Sequence, residues 1–108
     1  MRTLRFIVRA QRIEKDPECD FKGLVGGSEG YLQAEFKTDD AWKGCALAAE
    51  FTMGGKPYGA PVRGNVCDIP PDALKGHLVG VRLVGKRSGY CISTNVTYFR
   101  QEVLYGNG

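Results

Sequence analysis

Hydrophobic and polar residues alternate along much of the chain, the period of a β-strand with one face buried. In residues 3–13, Leu4, Phe6, Val8 and Ala10 alternate with Arg5, Ile7, Arg9 and Gln11. Arg2, Arg5, Arg9 and Arg12 also fall at helical spacing, which would suit a basic helix lying on a membrane. The β propensity of Phe6-Ile7-Val8, and the lack of a capping residue at Met1 or Arg2, favour the strand. Residues 31–36 repeat the pattern, with Leu32, Ala34 and Phe36 on one face. So do residues 45–51, where Cys45, Leu47, Ala49 and Phe51 share a face; Gly44 and Gly54-Gly55 leave that alanine-rich stretch too short for a good helix.

The remaining segments are shorter or carry punctuation. Gly54-Gly55-Lys56-Pro57 reads as a hairpin turn, and residues 58–62 as an edge strand, because Pro57 and Pro61 cannot donate to a central ladder. Residues 66–69 form a brief strand. Pro70-Pro71-Asp72-Ala73-Leu74 resembles one helical turn with proline at its start, and Thr38-Asp39-Asp40-Ala41 a turn leading to Trp42. Residues 78–84 and 90–99 are the longest β-like runs, joined at 85–89 by a hairpin of about four or five residues. Residues 14–30 gather acids, Pro17 and four glycines, the signature of a long loop. About seven short strands at intervals near ten residues predict an all-β, single-domain β-sandwich over residues 1–108, Ig-like or jelly-roll-like, with one short helical turn.

Composition agrees with a folded globule: 43% of residues are apolar and 25% charged, which excludes a disordered tail or a collagen-like repeat. The 108 residues argue against two lobes with a cleft between them. No apolar run spans a bilayer and no signal-peptide pattern opens the chain, so a chain not exported by a signal peptide is expected, with no membrane partner. The net charge is +3, with four arginines and no acid in residues 1–13 and four acids in residues 14–20. A nucleic-acid binder of this size usually carries a heavier basic excess, so nucleic acid is not the expected partner.

Four cysteines, Cys19, Cys45, Cys67 and Cys91, lie 26, 22 and 24 residues apart, without the close spacing of a zinc or redox site. Their apolar neighbours, as in Tyr90-Cys91-Ile92, predict buried free thiols. Gly80-Val81-Arg82-Leu83-Val84-Gly85-Lys86 matches the start of a phosphate-binding loop, but Arg87 stands where Ser or Thr would hold magnesium and the intervening residues alternate as a strand. His77, the single histidine, has no local partner for acid–base work. Asp39-Asp40 and Asp72 read as turn and helix-start chemistry rather than paired catalytic carboxylates. Asn95-Val96-Thr97 spells a glycosylation acceptor, relevant only in an exported eukaryotic context. These readings predict no enzyme, no cofactor and no metal.

One ordered set of residues resembles a domain of bacteriophage fibre and virion-surface proteins from Gram-positive hosts. It comprises Phe36, Trp42-Lys43-Gly44, Phe51, Tyr58 with Pro61, Cys67-Asp68-Ile69-Pro70, Leu74, the Val-rich 79–85 strand and Thr94, covering residues 30–99. The resemblance implies a small β-sandwich that builds or attaches to a tail-fibre, head-fibre or baseplate component. It also implies Trp42 and Phe51 as core aromatics and Ile69-Pro70 as the turn into the Leu74 segment. In that family the domain precedes a long shaft; a sequence ending at Gly108 suggests a decoration or accessory subunit.

The leading expectation is therefore a phage structural or accessory protein, located in the virion or the host cytoplasm, that contacts itself, as a homo-oligomer, and virion proteins. The alternative is a small phage-encoded inhibitor or sponge for a host defence protein or an anionic nucleotide signal. Arg5, Arg9, Tyr58, Lys86 and Arg87 are the candidate contact residues, the last two at a hairpin tip.

Overall fold

The computed structural model describes residues 1–104. Nine strands occur there in the order β1 Arg2–Arg9, β2 Arg12–Lys15, β3 Leu32–Thr38, β4 Ala46–Met53, β5 Lys56–Val62, β6 Val66–Asp68, β7 Leu78–Arg87, β8 Tyr90–Ser93 and β9 Thr97–Arg100. Two 3-10 turns, Asp40–Trp42 and Pro71–Lys75, complete the regular structure. Together they make an all-β sandwich of a four-stranded sheet, β2-β1-β3-β6, and a five-stranded sheet, β5-β4-β7-β8 with β9 also on β7.

Alternation along each strand sends one residue set into the space between the sheets. Leu4, Phe6, Val8, Ile13, Leu32, Ala34 and Phe36 come from one sheet, and Ala49, Phe51, Val79, Val81, Leu83 and Phe99 from the other. Trp42 and Phe51 are both buried core aromatics. Phe6 stacks on Phe36 at 5.6 Å, and the cross-strand rows Phe51–Val81 and Ala49–Leu83 face them. Burying each large side chain contributes about 1.5–3 kcal/mol.

The strand count exceeds seven because two predicted runs break. Residues 3–13 form a hairpin, with Ala10 and Gln11 at the turn between Arg9 and its partner Arg12. Ala10 takes a φ of +48°, a region that costs a non-glycine residue about 1 kcal/mol. Two bonds from the next corner offset that cost: Ala10 N donates to Asp39 Oδ2 at 2.8 Å, and Trp42 Nε1 donates to the Ala10 carbonyl at 2.8 Å. Asp39 also caps the Asp40–Trp42 turn.

The 90–99 run divides into β8 and β9, which share the same edge of β7. Between them Thr94 takes over the ladder: its Oγ1 accepts from Leu83 N at 3.0 Å, and its own amide donates to the Leu83 carbonyl. Asn95 then turns toward the opposite sheet. Its Oδ1 accepts from Ile13 N at 2.8 Å and its Nδ2 donates to the Ile13 carbonyl at 3.2 Å, while Asn95 N donates to the Gln11 carbonyl. These bonds tie the β2 edge to the β8–β9 edge. Asn95, the first residue of the glycosylation triplet, is thus a half-buried strap between the sheets.

Two further expectations are corrected. Residues 85–89 are not a five-residue loop; β7 continues through Arg87, and only Ser88 and Gly89 form the turn, with Gly89 at a φ of +69°. The cysteines are free but not uniformly buried: Cys67 is buried, Cys19 and Cys45 intermediate, and Cys91 exposed. Cys91 points outward because it pairs with Lys86 on the solvent side of the sheet. β1 and β3 run parallel and neighbour each other, so the 16–31 segment is a crossover.

Candidate functional site

The five predicted contact residues do not converge. Arg5 and Arg9 project from the outer face of β1, on the four-stranded sheet. Arg5 Nε lies 3.7 Å from Asp16 Oδ2. Arg9 lines one shallow groove with Ile7, Lys37 and Asp39, and another with Ile7, Arg12 and Glu14. Tyr58 lies on the opposite sheet, on edge strand β5, and turns inward against the core with Lys56 Nζ 5.6 Å from its ring centre. Lys86 is exposed on β7 beside Ala46 and Cys91. Arg87 stacks on Tyr90 at 4.1 Å and donates from Nη1 to the Lys43 carbonyl at 2.9 Å, so its guanidinium is engaged within the fold. Tyr90 Oη in turn donates to the Ala41 carbonyl at 2.7 Å. This cluster fixes the Trp42 corner rather than leaving a free cationic tip.

The outer face of the five-stranded sheet was not foreseen. Its central cross-strand rows are Pro61, Ala48, Val84 and Ser93; then Gly59, Glu50 and Arg82; then Pro57, Thr52, Gly80 and Tyr98, with Lys86 beside Ala46 and Arg100 beside Leu78 in the rows at either end. The central rows are mostly small or apolar. At the centre Arg82 Nε donates to Glu50 Oε1 at 2.9 Å, a bond that raises the arginine pKa further above its ordinary value. The signal in the sequence was the set of residues opposite the core phase, Ala46, Ala48, Gly59, Pro61 and Val84, where a solvated sheet face normally carries charge.

Two clefts meet at Leu78 and Tyr98. One, of about 570 Å³, runs past Thr52, Met53, Gly76 and His77. The other, of about 340 Å³, is lined by Lys15, Phe21, Lys22, Leu78, Tyr98 and Arg100. His77 is exposed, and its carbonyl accepts from Gln101 N at 2.9 Å. The buried Cys67 thiol is pushed up to about 12, first by burial and then by the Asp68 charge. It stays protonated at neutral pH and is a poor nucleophile.

Among the described residues, no three His, Cys, Asp or Glu side chains are grouped to hold a metal ion. No helix there is long and apolar enough to cross a membrane. Comparison of the chain with protein-family models, with curated proteins and with solved structures gives no match in any of the three.

Proposed function

We propose that this chain is a structural or accessory component of a bacteriophage virion, acting through protein contacts on the outer face of its five-stranded sheet. One observation carries the reading: Ala48, Gly59, Pro61 and Val84 surround a single Glu50–Arg82 pair on an open sheet face. Small side chains leave that face flat, and flat apolar surface rimmed by polar groups is interaction surface. The ordered motif resembling phage fibre domains points the same way.

The first partner is a second copy of the chain. A twofold packing over the central pair places Glu50 of each copy against Arg82 of the other, so the face is self-complementary in charge. Strand spacing and rise give a patch of roughly 20 by 20 Å, smaller than a standard interface. The isolated contact is therefore weak, and repetition within a particle supplies avidity.

Sedimentation equilibrium over a wide concentration range tests this. Self-association with a midpoint in the roughly 10–500 µM range is expected. Ala48→Arg, which places a large charge at an exposed strand position, should abolish it without changing the melting temperature. Association unaffected by Ala48→Arg, or a strict monomer that also fails to bind purified tail or capsid proteins encoded beside it, would overturn the proposal.

A further inference from the structure

The smaller of the two clefts joins positive charge to aromatic surface, and its walls are held in place. Lys15 ends β2 on the inward phase and reaches across the open end of the sandwich, its Nζ 5.6 Å from the Phe21 ring centre. Phe21 is wedged against Phe6 at 5.5 Å and Phe99 at 6.3 Å. The loop that carries it is clamped by Arg2, whose Nη2 donates to the carbonyls of Asp20 at 2.8 Å and Lys22 at 2.7 Å. Lys22 N donates to Asp20 Oδ1, closing a local turn that fixes the backbone from which the Lys22 side chain extends.

The opposite wall comes from β9 and β7. Tyr98 and Arg100 pair with Gly80 and Leu78 in consecutive outward rows. The Tyr98 ring covers Gly80; a Cβ there would stand 3.1 Å from Tyr98 Cε1, so the missing side chain gives the ring its seat. Tyr98 nonetheless remains 49% exposed, and Leu78 40%.

Three cations line this cleft and no carboxylate does. Among the described residues the ion pairs are Arg5–Asp16, Lys75–Asp72 and Arg82–Glu50, so Lys15, Lys22 and Arg100 are in none of them. The two aspartates nearest in the adjoining loop are directed elsewhere: Asp16 toward Arg5 and the Glu18 amide, Asp20 toward the Lys22 amide.

An ordinary solvated surface mixes signs of charge and leaves its loops free. Here a fixed aromatic pair and three like charges share a concavity of about 340 Å³, large enough for one base and its phosphate.

We propose that this cleft binds a free mononucleotide, its base against the exposed Tyr98 ring and Leu78, and its phosphate among Lys15, Lys22 and Arg100. The flat ring accepts any base by stacking, and the cations supply charge-assisted bonds to phosphate oxygens. Because Arg2 and Phe21 already hold the loop, little ordering remains to be done on binding. The cleft borders the same sheet face at its Tyr98 end, and none of its lining residues is among Ala48, Glu50, Arg82 and Val84.

The test is a ¹H–¹⁵N titration of the full chain with adenosine 5′-monophosphate, in parallel with inorganic phosphate, adenosine and a six-residue oligothymidylate. Saturable one-to-one shifts confined to Phe21, Lys22, Leu78, Tyr98 and Arg100 are expected with the monophosphate, and at least tenfold weaker binding of phosphate or adenosine alone. Lys22→Gln and Arg100→Gln should each weaken the monophosphate about fivefold, and weaken it less at high salt. Tyr98→Leu should weaken it with the dispersion of the spectrum intact, while Lys86→Gln leaves it unchanged. No saturation by about 10 mM overturns the proposal. So does phosphate binding as tightly as the nucleotide, or an oligonucleotide binding tightly over a surface wider than the cleft, which assigns it to single-stranded nucleic acid instead.

Discussion

The outer face of the four-stranded sheet is charged, with Arg5, Arg9, Glu14, Glu35 and Lys37 surrounding Ile7, while the outer face of the five-stranded sheet carries Ala48, Gly59, Pro61 and Val84 around one ion pair. Inward, both sheets present the same chemistry of Phe, Leu, Val and Ala. The inner faces satisfy one demand, removal of apolar surface from water, and any sandwich sequence must meet it. The outer faces have no such common demand. A face charged throughout favours solvation, whereas one whose centre is small side chains around a single ion pair gives up that protection there, which is why the difference carries functional information.

The largest expected effect lies where the two sheets are alike. Phe36→Ala and Phe51→Ala each remove a fully buried ring from one sheet, and each should cost about 3–5 kcal/mol in urea unfolding. If one sheet tolerated the change and the other did not, the inner equivalence of the two would fail.

Next comes the strap that joins them. Asn95→Ala removes both side-chain bonds to Ile13 and leaves that amide and carbonyl without those partners at a half-buried edge. A loss of about 2–3 kcal/mol is expected, together with faster amide exchange at Ile13. Unchanged exchange at Ile13 would mean the two edges are held by packing alone.

Cys67 sharpens the comparison through pH. Its thiol is raised from 9.0 to about 12 in the folded chain. Below the unfolded value both states keep the proton and the full stability is present. As pH rises from about 9 toward 12 the unfolded chain ionises first, so stability falls by about 1.4 kcal/mol per pH unit. Cys67→Val should show a smaller alkaline loss than the parent in the same buffers. Labelling by an alkylating reagent should reach exposed Cys91 first and Cys67 only on unfolding.

The smallest effect on stability belongs to the face that differs. The Glu50–Arg82 pair is about one-third exposed at each side chain, so Glu50→Gln should change unfolding free energy by less than about 1 kcal/mol. Its effect should appear in the proposed self-association, which Glu50→Gln should weaken and Arg5→Gln, on the charged face, should not.

Alternation alone revealed the β class, the sandwich and most core positions, because a strand with one buried face must repeat every two residues. It located Leu4, Phe6, Val8, Phe36, Ala49 and Phe51 on the correct side. Run-on strands were harder to divide. Nothing local in residues 90–99 announces that the run will break at Thr94 and Asn95, since their partners, Leu83 and Ile13, lie 11 and 82 residues away. The same distance problem hid both surfaces. Arg100 follows Tyr98 by two places on β9, but Lys15 and Lys22 lie far away in sequence, and the loop pinned by Arg2 and the packing of the two sheets bring them to that strand.

The chain by itself determined which residues avoid water, since that preference is written in each side chain and its neighbours two places away. Which strands lie side by side, which edges are tied together and which cations share a cleft were decided only in three dimensions. Those outcomes rest on hydrogen bonds and packing between segments far apart along the backbone, and no local pattern encodes them.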